Sequence, residues 1–473
     1  MRRRIAYGLG ITLLLITSAV AVFWQAGLSG FLGQQLKRND AFLAEEMAYH
    51  LGTLAYLYGY PIVDLLAQMH NETHRVSDSQ PAYAPVNRFY RFPGLVTPEN
   101  SGNLRAPNAD TLYYTAWYDV GEQPVILSTP DTNDRYYTIA VTNLFSEVTH
   151  IGRRTTGTHA QHFALVPEGW QGALPDNVTP YPVSTTRGWL LGRMYVAGKE
   201  DLAEAAALVN AVQLTELSDW QRPRAESMPE VQAEPLEPHH DLRFFALLDE
   251  ALRTLPARPG EAALLDQFRN IGIGGAKPFD IETLTAPTRK GLERAIEAGA
   301  KLAETSKRRS VDAYNGWMIS KDIGRYGYDY LHRASVVAGG YGNLPEESLY
   351  PAVVFDANGE LMSGSNRYRI TFPPNQLPPS DAFWSLAAYD LWSLRMTENP
   401  IARYAIGDRT EGLNYNSDGS LRLLLQHAPP EEGTSNWLPV PSGFFMLVMR
   451  LYEPRPEALD HRWVPPVIER LDQ

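Results

Sequence analysis

An uncharged, strongly apolar segment at the N-terminus constrains this chain more than any other feature. The arginines at positions 2–4 precede a run from Ile5 to Trp24 that contains no charged residue and is rich in Leu, Ile, Val and Ala. A helix of about 20 apolar residues spans the hydrocarbon core of a bilayer, and cationic residues before a first span favour keeping that end inside. The sequence therefore predicts one transmembrane helix within residues 1–28.

A cleaved signal peptide is the alternative interpretation of the same segment. Ala19, Val20 and Ala21 put small residues at the spacing that a signal peptidase requires. The apolar core of a signal peptide is usually about 7 to 15 residues long, and this run is longer. Phe23 and Trp24 also suit a membrane interface. We expect an uncleaved single-pass anchor in a bacterial cytoplasmic membrane, with the globular body on the periplasmic or outer side.

The composition of the 473 residues is that of a compact globular protein. With 44% hydrophobic and 20% charged residues, the chain is not compositionally disordered, and its length suggests two or three domains. The formal net charge of -12 argues against nucleic acid as a partner, because backbone phosphates repel an acidic body. The absence of cysteine excludes disulfides, thiolate metal sites and cysteine nucleophiles.

The first part of the body, residues 41–198, is predicted to be a helix followed by a β domain. Apolar residues recur at three- and four-residue steps from Ala41 to His70, which predicts a helix with a kink or break at Pro61. Short apolar runs bounded by turn residues then predict strands. These runs are Thr111 to Tyr118, Val125 to Ser128, Tyr136 to Val141 and Phe163 to Val166.

A helical connecting region, residues 199–340, and a second β domain, residues 341–473, are predicted to follow. Amphipathic spacing predicts helices over Leu202 to Leu214, Asp241 to Leu255, Glu261 to Arg269 and Pro287 to Thr305. Strand patterns return at Ala352 to Asp356, Asn366 to Phe372, Phe383 to Tyr389, Leu421 to Gln426 and Phe444 to Tyr452. Asn358-Gly359 and Asp418-Gly419 supply the positive φ of tight hairpins.

Several longer motifs resemble two bacterial families. Gly59-Tyr60-Pro61, Val86-Asn87-Arg88-Phe89, Pro107-Asn108-Ala109-Asp110-Thr111-Leu112-Tyr113 and Ile151-Gly152-Arg153-Arg154-Thr155-Thr156-Gly157 resemble the domain-of-unknown-function family numbered 1254. Tyr350-Pro351, Phe355-Asp356, Gly364-Ser365-Asn366-Arg367-Tyr368, Phe383-Trp384-Ser385, Asn399-Pro400, Arg403-Tyr404 and Ser435-Asn436-Trp437-Leu438-Pro439 resemble its usual C-terminal partner, family 1214.

The resemblance has consequences for architecture and few for chemistry. It implies two jelly-roll-like β-sandwich domains joined by helices, so the expected fold class is mainly β with a helical insert (α+β). It also implies a homo-oligomer, and it assigns no activity. Where relatives usually carry two Asn before the Asp, this chain has Ala109 in the middle, so any role of that amide is missing.

The densest group of reactive side chains lies just before the strand predicted at Thr111. Asp110 is a candidate general base, Arg105 a candidate clamp for an anionic group, and Tyr113 a candidate proton donor or acceptor. We expect these three to be catalytic and Asn108 to bind ligand. The alternative is structural, because Asn and Asp are good turn residues and Arg can pair with Asp to hold a loop.

Two further groups are candidates for ligand binding. Arg153 and Arg154 are adjacent, and neighbours on a strand point to opposite faces, so at most one of them would reach a given site; a surface pair is the alternative. Tyr326, Tyr330 and Arg333 would share one face of a helix and line a pocket, or else form an aromatic packing face.

Metal and cofactor sites are poorly supported by the sequence. His70 and His74 would share a helix face, yet the His-Glu-x-x-His motif is missing and a third ligand cannot be assigned, so no metal site is predicted. The cofactor is unknown. A serine nucleophile is not indicated, because Gly364-Ser365-Asn366 lacks the flanking glycine pattern of a nucleophile elbow.

The content of 25 Tyr and 10 Trp favours a protein that encloses a small molecule, because these rings combine apolar faces with polar tips. We therefore expect binding or processing of a small hydroxylated or apolar molecule. Two alternatives remain open: a non-catalytic protein that binds a membrane-protein partner, and a carrier that delivers a lipid-like ligand to a membrane enzyme.

Overall fold

The computed structural model describes the chain from Arg2 to Asp472, apart from residues 78–79, 81, 102–103, 223–229, 257, 307–310 and 321, and it describes side chains from Ser29 onward. The predicted membrane segment, Ile5 to Trp24, lies outside the residues whose side chains are described. Within the described part of the chain, no helix combines the length and the apolar character that crossing a bilayer requires.

The described residues form helices and several β-sheets in alternating regions. The helices are α1 (Arg2–Thr73), α2 (Arg153–Thr156), α3 (Leu202–Ala211), α4 (Arg243–Leu252), α5 (Ala262–Phe268), α6 (Ala286–Thr305), α7 (Tyr330–Gly339) and α8 (Pro456–Leu459). The strands of the first β region are β1 (Tyr90–Arg91), β2 (Thr111–Asp119), β3 (Val125–Thr129), β4 (Tyr137–Asn143), β5 (Val148–Gly152), β6 (Gln161–Pro167), β7 (Thr179–Val183), β8 (Arg187–Tyr195) and β9 (Gln213–Glu216).

The later strands form the second β region. They are β10 (Val311–Tyr314), β11 (Trp317–Ser320), β12 (Ser348–Leu349), β13 (Ala352–Val353), β14 (Arg367–Phe372), β15 (Ser380–Asp390), β16 (Ala405–Gly407), β17 (Leu421–Gln426), β18 (Trp437–Pro439), β19 (Phe445–Pro454) and β20 (Glu469–Leu471). The predicted helices and strands of the sequence pattern are confirmed to within a few residues at most ends. Pro61 does not end α1, which continues through it to Thr73.

The chain divides into two compact units. The first consists of residues 1–56, 240–250 and 258–300, and it is helical. In this unit α1 packs closely on α6 at Gly52, where an added Cβ would lie 2.8 Å from a Leu292 methyl. Glu45 receives hydrogen bonds from Lys290 at 3.0 Å and Arg294 at 2.7 Å. The second unit consists of residues 57–239, 251–257 and 301–473 and contains all of the strands named above.

In the first β region two sheets share one apolar core. One sheet has the order β1-β2-β8-β4-β5 and the other β7-β6-β3-β9. Leu112, Tyr114 and Ile139 from the first sheet pack with Leu127 and Leu165 from the second. Because side chains alternate along a strand, the odd-numbered residues of β2 point away from this core.

The second β region repeats this arrangement with its own core. One sheet runs β10-β11-β13-β19-β15-β16, with β12 also paired to β19, and the other runs β18-β17-β14-β20. Leu386 and Met449 of the first sheet pack with Ile370, Leu423 and Leu425 of the second. Ser385 and Arg450 are directly paired across β15 and β19, so they project from the opposite face of their sheet.

The central strands of both regions are buried on both faces. Nearly all residues of β2 and β19 are buried. An antiparallel sheet usually has one face on the core and one in solvent, so a second buried face needs another layer to cover it. The second β region covers part of the free face of the first, where Tyr136 packs with Phe383 and Tyr452, and α1 covers another part, where Leu65 and Met69 pack on Trp117.

Candidate functional site

Asp110 lies at the centre of the contact between the two β regions. It is fully buried, accepts a hydrogen bond of 2.6 Å from the hydroxyl of Ser385, and forms an ion pair with Arg409. Burial lowers the pKa of Arg409 to about 10, so its guanidinium is still charged at neutral pH. The first β region thus supplies the carboxylate, and the second supplies both of its partners.

Asn108 shapes the turn that presents Asp110. Its side-chain oxygen accepts hydrogen bonds of 2.9 Å from the backbone N–H groups of Asp110 and Thr111. Its amide nitrogen donates to the Tyr113 hydroxyl at 2.7 Å. Asn108 therefore acts as a structural turn residue and also fixes the position of the Tyr113 phenol, and its role in binding a ligand stays a prediction.

Arg193 lies beside Tyr113 on the face of the sheet that points away from the first core. The two residues are direct partners across β2 and β8, and the guanidinium carbon lies 5.5 Å from the centre of the Tyr113 ring. The guanidinium of Arg193 donates to the Asn343 side-chain oxygen at 2.9 Å, and Asn343 donates to the Tyr350 hydroxyl at 3.0 Å. Burial alone would lower the pKa of Arg193, but Tyr350 and other nearby phenols raise it.

Arg450 occupies the matching position in the second β region. It is 3% exposed and donates to the carbonyl of Ala106 at 2.6 Å, and its guanidinium carbon lies 5.5 Å from the Tyr389 ring centre. Its Nη1 atom has no hydrogen-bond partner among the described residues. The hydroxyl of Tyr452, two residues further along the same strand face, also lacks one within the described chain.

Tyr452 links the two arginines electrostatically. Burial raises its pKa well above the usual value; Arg450 and Arg193 oppose that shift, whereas the nearby phenols of Tyr350 and Tyr113 add to it. Side chains of both β regions therefore influence the pKa of Tyr452. Its ring stacks on Phe383 with 4.2 Å between ring centres.

Two buried carboxylates border this group. Glu347 accepts hydrogen bonds from the Tyr136 hydroxyl at 2.9 Å and from Nε of Arg154 at 2.8 Å. Glu453 accepts one of 2.5 Å from Arg153. Burial raises the pKa of Glu453 to about 7; Arg153 opposes that rise and the neighbouring Glu347 adds to it, so burial and Glu347 together outweigh the ion pair.

His150 is a buried imidazole at the edge of the same region. Its Nδ1 atom lies 3.1 Å from the Thr138 hydroxyl, and its Nε2 atom accepts a hydrogen bond of 3.4 Å from the backbone N–H of Leu344. That geometry assigns the proton to Nδ1. Burial, followed by the charges of Arg154 and Arg193, lowers the pKa of His150 to about 3, so the ring is neutral at physiological pH.

These side chains together form what we call the polar layer. It consists of Asp110, Tyr113, His150, Arg193, Asn343, Glu347, Tyr350, Ser385, Arg409, Arg450, Tyr452 and Glu453. Arg409 is paired with Asp110, whereas the hydrogen-bond partners of Arg193 and Arg450 in the described chain are neutral oxygens. A buried cation without a counter-ion is costly, and Arg193 and Arg450 are therefore the charges of the polar layer that no direct ion pair balances within the described chain.

The structure does not place Arg105 with Asp110 and Tyr113. Arg105 is exposed, because the chain reverses at Ala106, whose φ is +43° and whose N–H bonds to Leu394. The arginines that accompany Asp110 and Tyr113 are Arg409 and Arg193.

The predicted helical stripe is also only partly formed. Tyr326 precedes α7, so it does not share a helix face with Tyr330 and Arg333. Arg333 is fully buried and donates to the carbonyl of Tyr58 at 2.8 Å, and its guanidinium carbon lies within 5.6 Å of the Tyr58, Tyr330 and Phe145 ring centres. This is the geometry of an aromatic packing face.

Arg153 and Arg154 are not on a strand. β5 ends at Gly152, and the two arginines lie in the helical turn α2. The rule that strand neighbours point to opposite faces therefore does not apply to them. Both reach carboxylates of the second β region, Glu453 and Glu347 respectively.

Sequence reasoning missed Arg193, Arg409, Arg450 and Tyr452. The signal for Arg193 and Arg450 was present, since each interrupts an otherwise uncharged apolar stretch, Trp189 to Tyr195 and Phe444 to Tyr452 respectively. Such a charge needs a polar layer on one face of its strand. Arg409 lies in a loop and had no comparable signal.

The histidines considered as metal ligands have other partners. The rings of His70 and His74 stack with 4.6 Å between centres, and Nδ1 of His74 lies 2.9 Å from the carbonyl of His70. Within the part of the chain that the structure describes, no group of three His, Asp or Glu residues has the arrangement to hold a metal ion.

The fold and the polar layer define a class: two β regions, each with its own core, that cover each other through a buried, arginine-rich layer. Residues 86–216 match the family "Protein of unknown function (DUF1254)", and residues 347–456 match "Protein of unknown function (DUF1214)". The chain belongs to the proteins that carry this pair of domains. No curated protein matches it.

Two solved structures are similar to this chain. The VPA0106 protein from Vibrio parahaemolyticus is 23% identical, with a TM-score of 0.69 over 90% of this chain and 100% of that one. An uncharacterized protein from Burkholderia cenocepacia is 12% identical, with a TM-score of 0.44 over 92% of this chain and 96% of that one. The first shows a shared fold.

Proposed function

We propose that this protein binds a small, hydroxylated organic anion in the polar layer. The observation that carries the proposal is the pair of buried guanidinium groups, Arg193 and Arg450, whose partners within the described chain are neutral oxygens. A carboxylate or phosphate bound there would supply the missing negative charge. Arg is well suited to this role, because its planar group binds both anions through two parallel hydrogen bonds.

The phenols of the polar layer favour a ligand that also carries hydroxyl groups. The hydroxyl of Tyr452 has no partner among the described residues, and Tyr113 accepts from Asn108, which leaves the phenol's own hydrogen available to donate. The stacked rings of Phe383 and Tyr452 add an apolar wall. These features suit a compact molecule with an anionic end, hydroxyl groups and an apolar part.

Binding is better supported by this geometry than turnover. Asp110 is already paired with Arg409 and Ser385, so it is not poised as a general base. Glu453, whose pKa is about 7, is a more suitable acid or base, and it borders the layer. Catalysis by Asp110, Tyr113 and Arg105 stays a prediction.

Binding measurements on the purified full chain test the proposal. Isothermal titration with inorganic phosphate, citrate and 4-hydroxybenzoate as probes should show binding of at least one anion. Arg450→Met and Arg193→Met should weaken it at least 10-fold, whereas Arg462→Met, which removes an exposed guanidinium, should not. No binding of any probe together with no anion copurifying in native mass spectrometry would contradict the proposal, as would equal affinity in Arg450→Met.

We also propose that Ile5 to Trp24 anchors this body in the bacterial cytoplasmic membrane, so that the ligand is one found on its outer side. The charge-free run behind three arginines supports this. Membrane fractionation and N-terminal sequencing of the protein from cells test it, and a mature N-terminus near Ala21 would show cleavage instead.

A jelly-roll-like sandwich in each β region is also part of the proposal, and it is supported by the two sheets around each core.

A further inference from the structure

A short segment of the first β region, residues 105–107, covers Arg450, and we call it the cover segment. Arg450 is 3% exposed and Arg193 is 7% exposed, so an anion from solution reaches neither guanidinium unless a covering element moves. Arg105 is exposed, Ala106 is half-buried, and the Ala106 carbonyl contacts Arg450. The cover segment therefore lies between Arg450 and solvent.

Three hydrogen bonds from main-chain atoms hold the cover segment on the second β region. The carbonyl of Ala106 accepts from Nη2 of Arg450 at 2.6 Å, and the carbonyl of Pro107 accepts from the Tyr389 hydroxyl at 2.6 Å. The N–H of Ala106 donates to the carbonyl of Leu394 at 2.8 Å. A carbonyl is a neutral dipole, whereas a carboxylate or phosphate oxygen carries charge and forms a stronger hydrogen bond with a guanidinium. An anion therefore competes favourably with Ala106 for Arg450.

The backbone is strained at both ends of the hydrogen bond between Ala106 and Leu394. The φ angles are +43° at Ala106 and +53° at Leu394, a region that residues other than glycine rarely adopt. Ala106 also precedes Pro107, and a residue before proline normally has an extended backbone. Strain of this kind persists only where surrounding contacts impose it, and it is often found at switch regions. Contacts with Arg450 and Tyr389 therefore hold the closed position against the local preference of the chain.

The residues that follow the cover segment are fixed more firmly. The side chain of Asn108 accepts hydrogen bonds from the N–H groups of Asp110 and Thr111, and Asp110 is bound by Ser385 and Arg409. A rotation of the backbone between Pro107 and Asn108 would thus lift the cover segment and leave these contacts in place.

We propose that the cover segment is a lid, which must leave Arg450 before an anion binds there. This inference rests on the proposed function, because it concerns access to the same site. Nη1 of Arg450 has no hydrogen-bond partner among the described residues, and Nη2 is engaged by Ala106. A carboxylate that binds both nitrogens side by side takes the place of the Ala106 carbonyl. The anion and the lid therefore compete for one guanidinium.

Hydrogen–deuterium exchange of the purified full chain reports the position of the lid. Isothermal titration first identifies which of phosphate, citrate and 4-hydroxybenzoate binds, and exchange is then compared with and without that anion at equal ionic strength. A ligand usually slows exchange where it makes contact, but displacement of the lid frees the N–H of Ala106 from Leu394. Peptides that include residues 104–108 should exchange about 5-fold faster with the anion bound, whereas peptides of β14 should not change.

Tyr389→Phe loosens the lid without removing either arginine. The substitution deletes the hydroxyl that holds the Pro107 carbonyl, so the closed form is less populated. The apparent affinity for the anion should rise about 3-fold, because less of the protein has to open before it binds. Tyr368→Phe is the matched control, since it removes a buried hydroxyl that accepts from the N–H of Ser363 in the core of the second β region. This control should not change the affinity.

Ala106→Pro prevents closure more completely. Proline fixes φ at about −65° and has no N–H, so residue 106 can neither adopt its positive φ nor bind Leu394. The apparent affinity should rise about 10-fold. Asn375→Pro is the control, because it makes the same change at an exposed turn residue whose φ is +58°. Circular dichroism shows whether each variant is folded, and Tyr389→Phe carries the test if Ala106→Pro is not.

The outcomes separate the lid from the binding site. Faster exchange at residues 104–108 together with tighter binding by Tyr389→Phe is the expected result. If an anion binds but this exchange slows or stays the same, the lid is wrong and the binding site stands. Weaker or unchanged binding by Tyr389→Phe, or by folded Ala106→Pro, leads to the same conclusion. If the wild-type protein binds none of the three probes, the proposed function fails and the lid fails with it.

Discussion

The hydroxyl of Ser385 donates a 2.6 Å hydrogen bond to the carboxylate of Asp110, although the two residues are 275 positions apart in the chain. Arg409 reaches the other carboxylate oxygen from the same β region as Ser385. One side chain of the first β region thus holds two side chains of the second, and all three are buried or nearly so. This relationship ties the stability of the body to a single carboxylate.

Asp110→Asn should destabilise the protein strongly. The substitution leaves Arg409 with no counter-ion while its surroundings stay buried, and breaking such a pair costs about 3–5 kcal/mol. The free energy of unfolding from urea denaturation measures this loss. Asp266→Asn, which breaks an exposed pair with Arg269, is the control and should cost less than about 1 kcal/mol. A normal stability together with lost turnover would instead support the catalytic role predicted from the sequence.

Arg193→Met should leave the free energy of unfolding unchanged or raise it when no anion is bound. Arg193 is a buried cation whose partner in the described chain is a neutral amide, and replacing such a charge by an apolar side chain is often neutral or stabilising. Arg135→Met should be destabilising, because it removes the ion-pair partner of the partly buried Asp201 carboxylate. If both substitutions cost the same in urea denaturation, the charge balance proposed for the polar layer is wrong.

Glu453 should make the protein less stable as the pH rises from about 4.5 to about 7. Its pKa is about 7 in the folded protein, against the ordinary value of 4.5, so the folded state holds a proton that the unfolded state releases. The contribution of Glu453 to the free energy of unfolding is therefore greatest below pH 4.5, and it falls by at most about 3 kcal/mol by pH 7. Glu453→Gln should flatten this part of the stability profile, and the exposed Glu432→Gln should not.

His150 should make the protein more stable as the pH rises, which is the opposite of the effect of Glu453. Its pKa falls from 6.5 to about 3 on folding, so the unfolded chain takes up a proton that the folded ring refuses. The contribution of His150 to the free energy of unfolding is complete above about pH 6.5, and it is lost progressively as the pH falls towards 3. The NMR signals of His150 should show a neutral ring at pH 5. A His150 ring that titrates with a pKa near 6.5 would refute its burial as a neutral base.

The sequence predicted the strands and helices well because each is a local pattern of apolar residues. β15 and β19 were both predicted from short apolar runs, and the turns at Asn358-Gly359 and Asp418-Gly419 have the expected positive φ at glycine. The motif around Asp110 was predicted to be catalytic, and that role stays a prediction; Asn108, Asp110 and Tyr113 are buried.

The partners within the polar layer were not predictable in the same way. Arg409 and Ser385 reach Asp110 only because two separate sheets pack face to face, and nothing local to Asp110 indicates either partner. Arg105 is near Asp110 in sequence, but the chain turns at Ala106 and the Arg105 side chain is exposed. Proximity along the chain is a poor guide to a site that forms between two sheets.

Because β2 and β19 are buried on both faces, separating the two β regions would expose surfaces that are buried in the whole chain. In a fragment that contains only residues 341–473, a broad patch with Phe383, Ser385, Arg450 and Tyr452 would be exposed to solvent. That patch is too apolar to be solvated well and too charged to pack against itself. We therefore expect residues 341–473 to be poorly soluble when they are separated from the first β region.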